Sequence, residues 1–550
     1  MTAGSAATHN FSLEPTTEPD GEFGPSSGAG TVSRSWPTTH NRADVVVRKG
    51  VARLVNTTLT PHQALVEDLL FIGDVLTAAG IDFLLVRGND ERPVIALDQS
   101  LKSRLTEALS DACADEPLYS KTIDGKDARP VLVSSGTLSP KRKARIFRLY
   151  RPRIEPVGGL SYGASTGIEV QLWRFGDDVI DCPVENSLTR RLLPKAEAVR
   201  ATVDLYGRTW NTLRGMFDPH ASDVRFDIDI VFSWVDGTDL EFQRARAKRM
   251  QNYVVGEGDD SEARFRQINE LKFALRSIYL FAPWIRQIFI VTDSPRPAWL
   301  DEHPSVRIVR SEEFFDDPEA LPTHNSHAIE SRLHHIEGLS EHFLYSNDDM
   351  FFGRPVQPSM FFSPGGVTKF IEAQTRIGLG ENDPARSGFE NSARVNRRLL
   401  WERFGRVITR HLEHTAAPLR TSVMYELERA FPEDFERTQR SQFRASTDIS
   451  VTNSLYHYYA LMTGRAVQQD SAEVLYVDTT SRAGLGLLPG MLKKRDVDLF
   501  CLNDGSFPEV SADERTAVVT EFLERYYPIA APWEKPAEVE AAEPEVSALA

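Results

Sequence analysis

Ile228-Asp229-Ile230-Val231-Phe232-Ser233-Trp234-Val235-Asp236-Gly237-Thr238-Asp239 is the stretch on which the fold turns. Ile228, Ile230, Phe232 and Trp234 alternate with Asp229, Val231 and Ser233, the period of a strand with one strongly apolar face. The strand ends in the turn Asp236-Gly237-Thr238-Asp239, and a charged helix is expected after it. Next comes a helical pattern over residues 270–284, with Leu271, Ala274, Leu275, Ile278 and Phe281 on one face and Pro283 where the pattern stops. A second strand, 288–291, ends at Thr292-Asp293. A third, 343–345, ends at Ser346-Asn347-Asp348-Asp349. Strand, helix, strand in alternation predicts an α/β fold: a mostly parallel sheet flanked by helices, with ligands at the carboxyl ends of its strands. Asp236, Asp293, Asp348 and Asp349 stand at those ends.

Upstream, a smaller α/β domain is expected over residues 41–220. Thr60 and Pro61 give a cap and first-turn pair for a helix reaching to Gly80, with Ala64, Leu65, Leu69, Leu70 and Ile72 at helical spacing. Strands are expected at 81–86, 130–134, 146–150 and 168–175. The turn Arg87-Gly88-Asn89-Asp90 resembles a nucleotidyltransferase loop only superficially, because no paired strand carboxylates follow it. Residues 1–40, rich in Ser, Thr, Gly and Pro, are expected to be disordered, as is an acidic tail over 533–550. The catalytic domain is then 221–532.

The bulk numbers narrow the function classes. With 550 residues, 41% hydrophobic and 26% charged, the chain is of globular composition and long enough for several domains. No apolar run reaches 18 residues, so no transmembrane helix is expected. The start of the chain lacks a basic region followed by an apolar one, so no secretory signal is expected either. Cys113, Cys182 and Cys501 are too few and too scattered for a disulfide framework, which suits a reducing cytoplasm. A net charge of −16 argues against a nucleic-acid partner, and any anionic substrate must meet a local cluster of cations.

Three groups of residues carry chemistry. Asp348 and Asp349 are hard oxygen ligands suited to Mg²⁺ or Mn²⁺ on a diphosphate. An acidic pair alone is weak evidence, but this one is bracketed by Phe343-Leu344-Tyr345 and Met350-Phe351-Phe352, where unneutralised charge is costly. On a continuous helix His327, Glu330 and His334 fall at i, i+3 and i+7, hence on one face. No H-E-x-x-H accompanies them, so surface histidines are the simpler reading. Arg264, Arg266, Arg276, Arg332, Arg376, Arg420 and Arg444 offer guanidinium forks for phosphate, and His411 and His414 are acid/base candidates.

Together these segments resemble the Stealth family of hexose-1-phosphate transferases, which includes bacterial capsule and exopolysaccharide polymerases and the animal N-acetylglucosamine-1-phosphotransferase. Four blocks appear in order. The first is residues 228–239. The second runs from Arg264-Phe265 through Asn269-Glu270-Leu271-Lys272, Asn325–Glu330 and Asn347-Asp348-Asp349 to Phe352-Gly353. The third runs from His414 through Arg444 to Tyr459, and the fourth is Cys501-Leu502-Asn503-Asp504. The N-terminal region resembles the extension of actinobacterial exopolysaccharide phosphotransferases. Lys272 stands where arginine is usual, and lysine offers phosphate only a point charge. Ala417 stands where the animal enzyme has a second histidine.

The resemblance implies a nucleotide-sugar-transferase-like sheet and transfer of a sugar-1-phosphate from a nucleotide-diphosphate sugar, expected to be UDP-linked, to a saccharide hydroxyl with release of UMP. It implies Mg²⁺ (or Mn²⁺) on Asp349, with Asp348 and Asp504. His414 is implied as base, Arg444 as phosphate clamp and Glu330 as a metal- or substrate-positioning group. Asp229, Trp234, Asp236, Arg264, Asn269, Lys272, Arg276, Asn347 and Arg420 are implied in substrate binding. The expected setting is the cytoplasm, including its membrane face beside polysaccharide-assembly machinery. Two alternatives stand beside this: a conventional metal-dependent glycosyltransferase releasing UDP, and a non-catalytic carbohydrate-binding protein.

Overall fold

The strand beginning at Ile228 extends through Ser233 (β1) and is the central strand of a five-stranded sheet. In the computed structural model, residues 42–89, 92–123, 129–237, 244, 268–505 and 508–536 are described. Apart from Arg244, the charged helix expected after Asp239 lies outside them, as do Arg264 and Arg266. After β1 come α1 (Glu270–Phe281), β2 (Ile288–Val291), β3 (Val306–Val309), α2 (Ser326–Glu330), β4 (His342–Asn347), β5 (Met350–Phe352), β6 (Ala417–Arg420), β7 (Val474–Asp478), β8 (Leu499–Asn503) and α3 (Ala512–Tyr526). Other elements are named by their residues.

The sheet order is β3-β2-β1-β4-β6. The first four strands are parallel, as the sequence pattern predicts, and β6 closes one edge antiparallel to β4. Register brings Ser233 beside both Val291 and Asn347, so the carboxyl ends of β1, β2 and β4 form one edge. The order reverses at β1, and the crevice between β1 and β4 is where an open α/β sheet binds ligands. Only one face of β1 is strongly apolar in sequence, yet both faces are buried. Ile230, Phe232, Ile290 and Leu344 pack to one side, and Val231, Phe289, Phe343 and Tyr345 to the other. This two-sided burial is general for parallel sheets. Each fully buried Phe contributes about 1.5–3 kcal/mol relative to exposure.

A second, three-stranded sheet, β5-β8-β7, follows directly from β4 through the turn at Asp348-Asp349. Met350 pairs with Cys501 antiparallel, and Cys501 with Tyr476 in parallel. Helix α1 packs against β5, with the Ser277 hydroxyl accepting the Phe352 N–H at 3.2 Å.

Upstream lies an eight-stranded, mainly antiparallel sheet covered by helices Pro61–Ala78 and Lys102–Ala112. Thr60 forms a capping box with Gln63, worth about 0.5–2 kcal/mol. Strands Ile146–Tyr150 and Ile168–Phe175 fall where the sequence places them. The strand expected at 81–86 is Leu84–Arg87, and the one at 130–134 shrinks to Val131–Leu132 before a 3-10 turn. Ala64, Leu160 and Tyr162 share the hydrophobic cluster of α1, and all described residues belong to one compact unit. Trp533 and Glu534, expected to open a disordered tail, instead pack on α1: Trp533 is buried and half-buried Glu534 pairs with Arg276. No helix among the described residues is long and apolar enough to cross a membrane, and all three cysteines are buried free thiols.

Candidate active site

Chain direction explains which residues meet. Asp348 and Asp349 follow the carboxyl end of β4. Because β6 runs antiparallel to β4, with Ala417 beside Tyr345 and Arg420 beside His342, the residues just before β6 reach that same edge. His414 is one of them. Its Nδ1 lies 4.0 Å from the Asp349 carboxylate and 3.1 Å from Cys501 Sγ. Residues i and i+2 of a strand share a face, so Cys501 and Asn503 of β8 both point at Asp349. The Asn503 amide donates to Asp349 Oδ2 at 3.2 Å and the Cys501 thiol lies 3.4 Å from the same oxygen. The other oxygen, Oδ1, is buried and has no hydrogen-bond partner among the described residues.

Glu270, in the first turn of α1, joins Asp348, Asp349 and Asp504 in an acidic cluster. Its carboxyl is pushed up to about 7, chiefly by burial, with the charges of Asp504 and Asp349 adding to it. Asp348 is likewise raised well above the carboxylate range by burial and then by Glu270, Asp349 and Asp504. Asp504 forms an ion pair with the buried Arg515 and accepts from the Thr479 hydroxyl at 3.0 Å. Crowded carboxylates with one oxygen left buried and unpartnered suit a hard divalent cation, which stabilises their ionised forms. Asp349, Asp348 and Glu270 are the residues that would hold it, with Asp504 beside them.

A second group lies behind β4. Glu330, at the end of α2, is fully buried and accepts from the Thr452 hydroxyl at 2.6 Å. Burial raises its carboxyl, opposed by Thr452, Arg444 and Ser326. Arg444 donates to Ser326 Oγ at 2.8 Å and passes over Gly388, where a Cβ would come within 2.8 Å of its stem. Thr452 sits in a short π-helical turn, Val451–Leu455, a device often found at functional sites. Tyr345 feels the charges of Glu330, Arg444 and Asp348 together, so it stands between the two groups. Asn347 and Trp234 flank them at the ends of β4 and β1, and Asp236 follows, its N–H on Ser294 at 2.9 Å. Asn269 precedes Glu270 in a left-handed conformation, φ 61°.

Four expected substrate contacts lie elsewhere. Asp229 sits at the amino end of β1, beside Phe343. It is fully buried and takes Arg286 Nε at 2.8 Å, Arg286 Nη2 at 2.5 Å and the Ser340 N–H at 2.7 Å. Arg420 is at the same far edge, held by Glu341 at 2.9 Å. Arg276 grips Glu534 through two bonds of 2.7 Å, and Lys272 lies 3.4 Å from the same carboxylate. Arg264 lies outside the described residues. The shared helical face expected for His327, Glu330 and His334 does not form. Helix α2 stops at Glu330, and His334, in a separate 3-10 turn, bonds Glu428 at 3.0 Å. Sequence reasoning missed Glu270, Cys501, Asn503, Tyr345 and Thr452 as site residues. The i, i+2 spacing of Cys501 and Asn503 just before Asp504 was the available signal.

Comparison with known proteins now adds the relationship. Conserved regions 1 to 4 of the Stealth protein match residues 226–254, 264–370, 413–461 and 489–544. The exopolysaccharide phosphotransferase CpsY of Mycobacterium leprae is 62% identical over 89% of this chain and 90% of its own. The chain belongs to the Stealth family. Other Stealth relatives include the exopolysaccharide phosphotransferases of Nocardia farcinica, 53% identical over 88% of this chain and 90% of that one, and of Streptomyces coelicolor SCO6023, 38% identical over 88% and 84%. A solved galactosyltransferase, LgtC in complex with donor and acceptor sugar analogs, aligns with 56% of this chain and 98% of its own at 11% identity. Its TM-score of 0.29 adds nothing to what the strand order shows. Residues of all four Stealth regions converge here. Region 1 supplies β1 and region 2 supplies Glu270, Glu330, Asp348 and Asp349. Region 3 supplies His414, Arg444 and Thr452, and region 4 supplies Cys501, Asn503 and Asp504.

Proposed function

We propose that this chain transfers a sugar-1-phosphate from a UDP-linked sugar to a saccharide hydroxyl, forming a phosphodiester and releasing UMP, in exopolysaccharide synthesis. The observation that carries the reading is the placement of His414 against Asp349, at the edge where Glu270, Asp348 and Asp504 also gather. His414 Nδ1 faces Asp349 and Cys501, which leaves Nε2 to take the proton of the acceptor hydroxyl as it attacks the phosphorus nearest the sugar. Asp349 orients that ring. Arg444, fixed by Ser326 and set beside buried Glu330, is the guanidinium offered to the phosphate oxygens. A divalent cation at the carboxylates, Mg²⁺ or Mn²⁺, supplies positive charge to the diphosphate. The phosphotransferase names of relatives up to 63% identical support phosphoryl over glycosyl transfer.

A screen of UDP-sugars with a saccharide acceptor, with Mg²⁺ and with chelator, tests this. UMP released only with the metal, and lost in Asp349→Asn, is expected. UDP release instead would make the chain a conventional glycosyltransferase, and metal-independent sugar binding with no nucleotide product would make it a binding protein.

A further inference from the structure

The side of Asp349 that faces His414 and Cys501 is chemically unlike the side that faces the other carboxylates. On one side all donors are oxygens. On the other, Asp349 Oδ2, His414 Nδ1 and Cys501 Sγ lie within 4.8 Å of one another. This is an oxygen, nitrogen and sulfur set, which a magnesium site does not need and which suits a borderline-soft cation. The separations are 3.1 Å between nitrogen and sulfur, 3.4 Å between sulfur and oxygen, and 4.0 Å between nitrogen and oxygen. With Zn–S near 2.3 Å and Zn–N and Zn–O near 2.0–2.2 Å, the edges of a tetrahedral site come to about 3.3–3.6 Å. The three donors therefore stand within roughly 0.2–0.7 Å of a tetrahedral face before any ion enters. Cys501 is fully buried, whereas His414 and Asp349 are 28% and 21% exposed, so the fourth position opens toward solvent on the His414 side.

We propose that Asp349, His414 and Cys501 form a Zn²⁺ site with one open position. Zn²⁺ binds the thiolate, the neutral imidazole and one carboxylate oxygen, and the thiol proton leaves to solvent. Asp348, Glu270 and Asp504 lie close by, so the surrounding field favours the dication. Asp349 offers Oδ2 to this triad and its unpartnered Oδ1 to the carboxylate cluster, so the two sites share one carboxylate. Zn²⁺ also occupies His414 and so acts as an inhibitor. This last consequence rests on the proposed phosphotransfer; the binding does not.

Titration of the full chain with Co²⁺, a spectroscopic stand-in for Zn²⁺, separates the two. The expected result is a thiolate-to-cobalt charge-transfer band saturating at one ion per chain, abolished by added Zn²⁺ and absent from Cys501→Ser. His414→Ala, at a partly exposed position, is the second variant and weakens binding by at least about tenfold. Saturation with Co²⁺ giving no charge-transfer band, or a band that survives Cys501→Ser and so belongs to Cys113 or Cys182, overturns the proposal. In the activity arm, Zn²⁺ suppresses UMP release with Mg²⁺ present, and a zinc-selective chelator restores it. A band without any nucleotide release upholds the zinc site and overturns the phosphotransfer. UMP release without a band does the reverse.

Discussion

Asp229→Ala separates two roles that a motif cannot distinguish. The family resemblance assigns Asp229 to the donor pocket. The structure puts its carboxylate at the opposite end of β1, where Arg286 binds it through two nitrogens and the Ser340 N–H through a third bond. Charge-assisted hydrogen bonds are worth about 1.5–3 kcal/mol each, and a backbone N–H stranded without a partner costs about 1–3 kcal/mol. The full sum overstates the loss, because the Arg286 side chain is 42% exposed and recovers water once its partner is gone. A net destabilisation of about 2–4 kcal/mol is expected. Urea unfolding followed by tryptophan fluorescence should show a lower midpoint with an unchanged slope. Steady-state kinetics on the folded fraction should show a donor KM within about twofold of wild type, since no uniform binding contact has been removed. A donor KM raised by about tenfold or more at an unchanged midpoint would refute the reasoning, because Asp229 would then be touching donor rather than tying β1 to Arg286 and Ser340.

The same logic applies to Arg276, whose guanidinium is spent on Glu534 and the Tyr527 carbonyl. Arg276→Ala should lower the urea midpoint, and Glu534→Ala should reproduce the effect, whereas a phosphate-binding role predicts a KM change in Arg276→Ala alone. His414→Ala should lower kcat by about 10²–10⁴ while the fold is kept, with circular dichroism and the urea midpoint as controls; near-normal turnover would remove His414 from the mechanism. His457 is fully buried, and burial lowers it to about 3 from 6.5, with the Thr452 carbonyl opposing. Between those values the unfolded chain takes the proton and the folded chain does not. Its stabilising contribution is therefore complete above 6.5 and lost as pH falls, by about 1.4 kcal/mol per pH unit. Between about pH 7.5 and about pH 5 the stability change of His457→Gln should differ from wild type by about 2 kcal/mol, and superimposable pH profiles would exclude this.

What could be read from the sequence was whatever periodicity or chain order encodes. The strand at 228, helix 270 and the strand at 288 each carry a repeating apolar pattern, and their alternation forces a parallel sheet. Strand β6 has no such signature: Ala417-Pro418-Leu419-Arg420 is too short and contains proline, which an edge strand tolerates. Yet β6 decides the site, because its antiparallel direction carries His414 to the carboxyl edge and Arg420 away from it. The helix expected through His334 failed for a similar reason. Periodicity places residues on a common face only while the helix lasts, and α2 ends after a single turn.

Cations and carboxylates were legible as residue types but not as partners. Arg276, Lys272 and Arg420 have the composition of a phosphate clamp, and each is consumed by an acid brought to it by the fold: Glu534 for two of them, Glu341 for the third. Among the predicted arginines that are described, Arg444 is the one set beside the buried Glu330, and Tyr345 feels its charge together with that of Asp348. Glu330 is held from three sides by Thr452, Ser326 and Arg444, so removing the guanidinium leaves a buried carboxyl without its counter-charge. Arg444→Lys keeps the charge and loses the fork. If Arg444 serves phosphate as well as Glu330, this variant should retain the wild-type urea midpoint and still lose kcat; loss of both together would mean that Arg444 works only as the partner of Glu330.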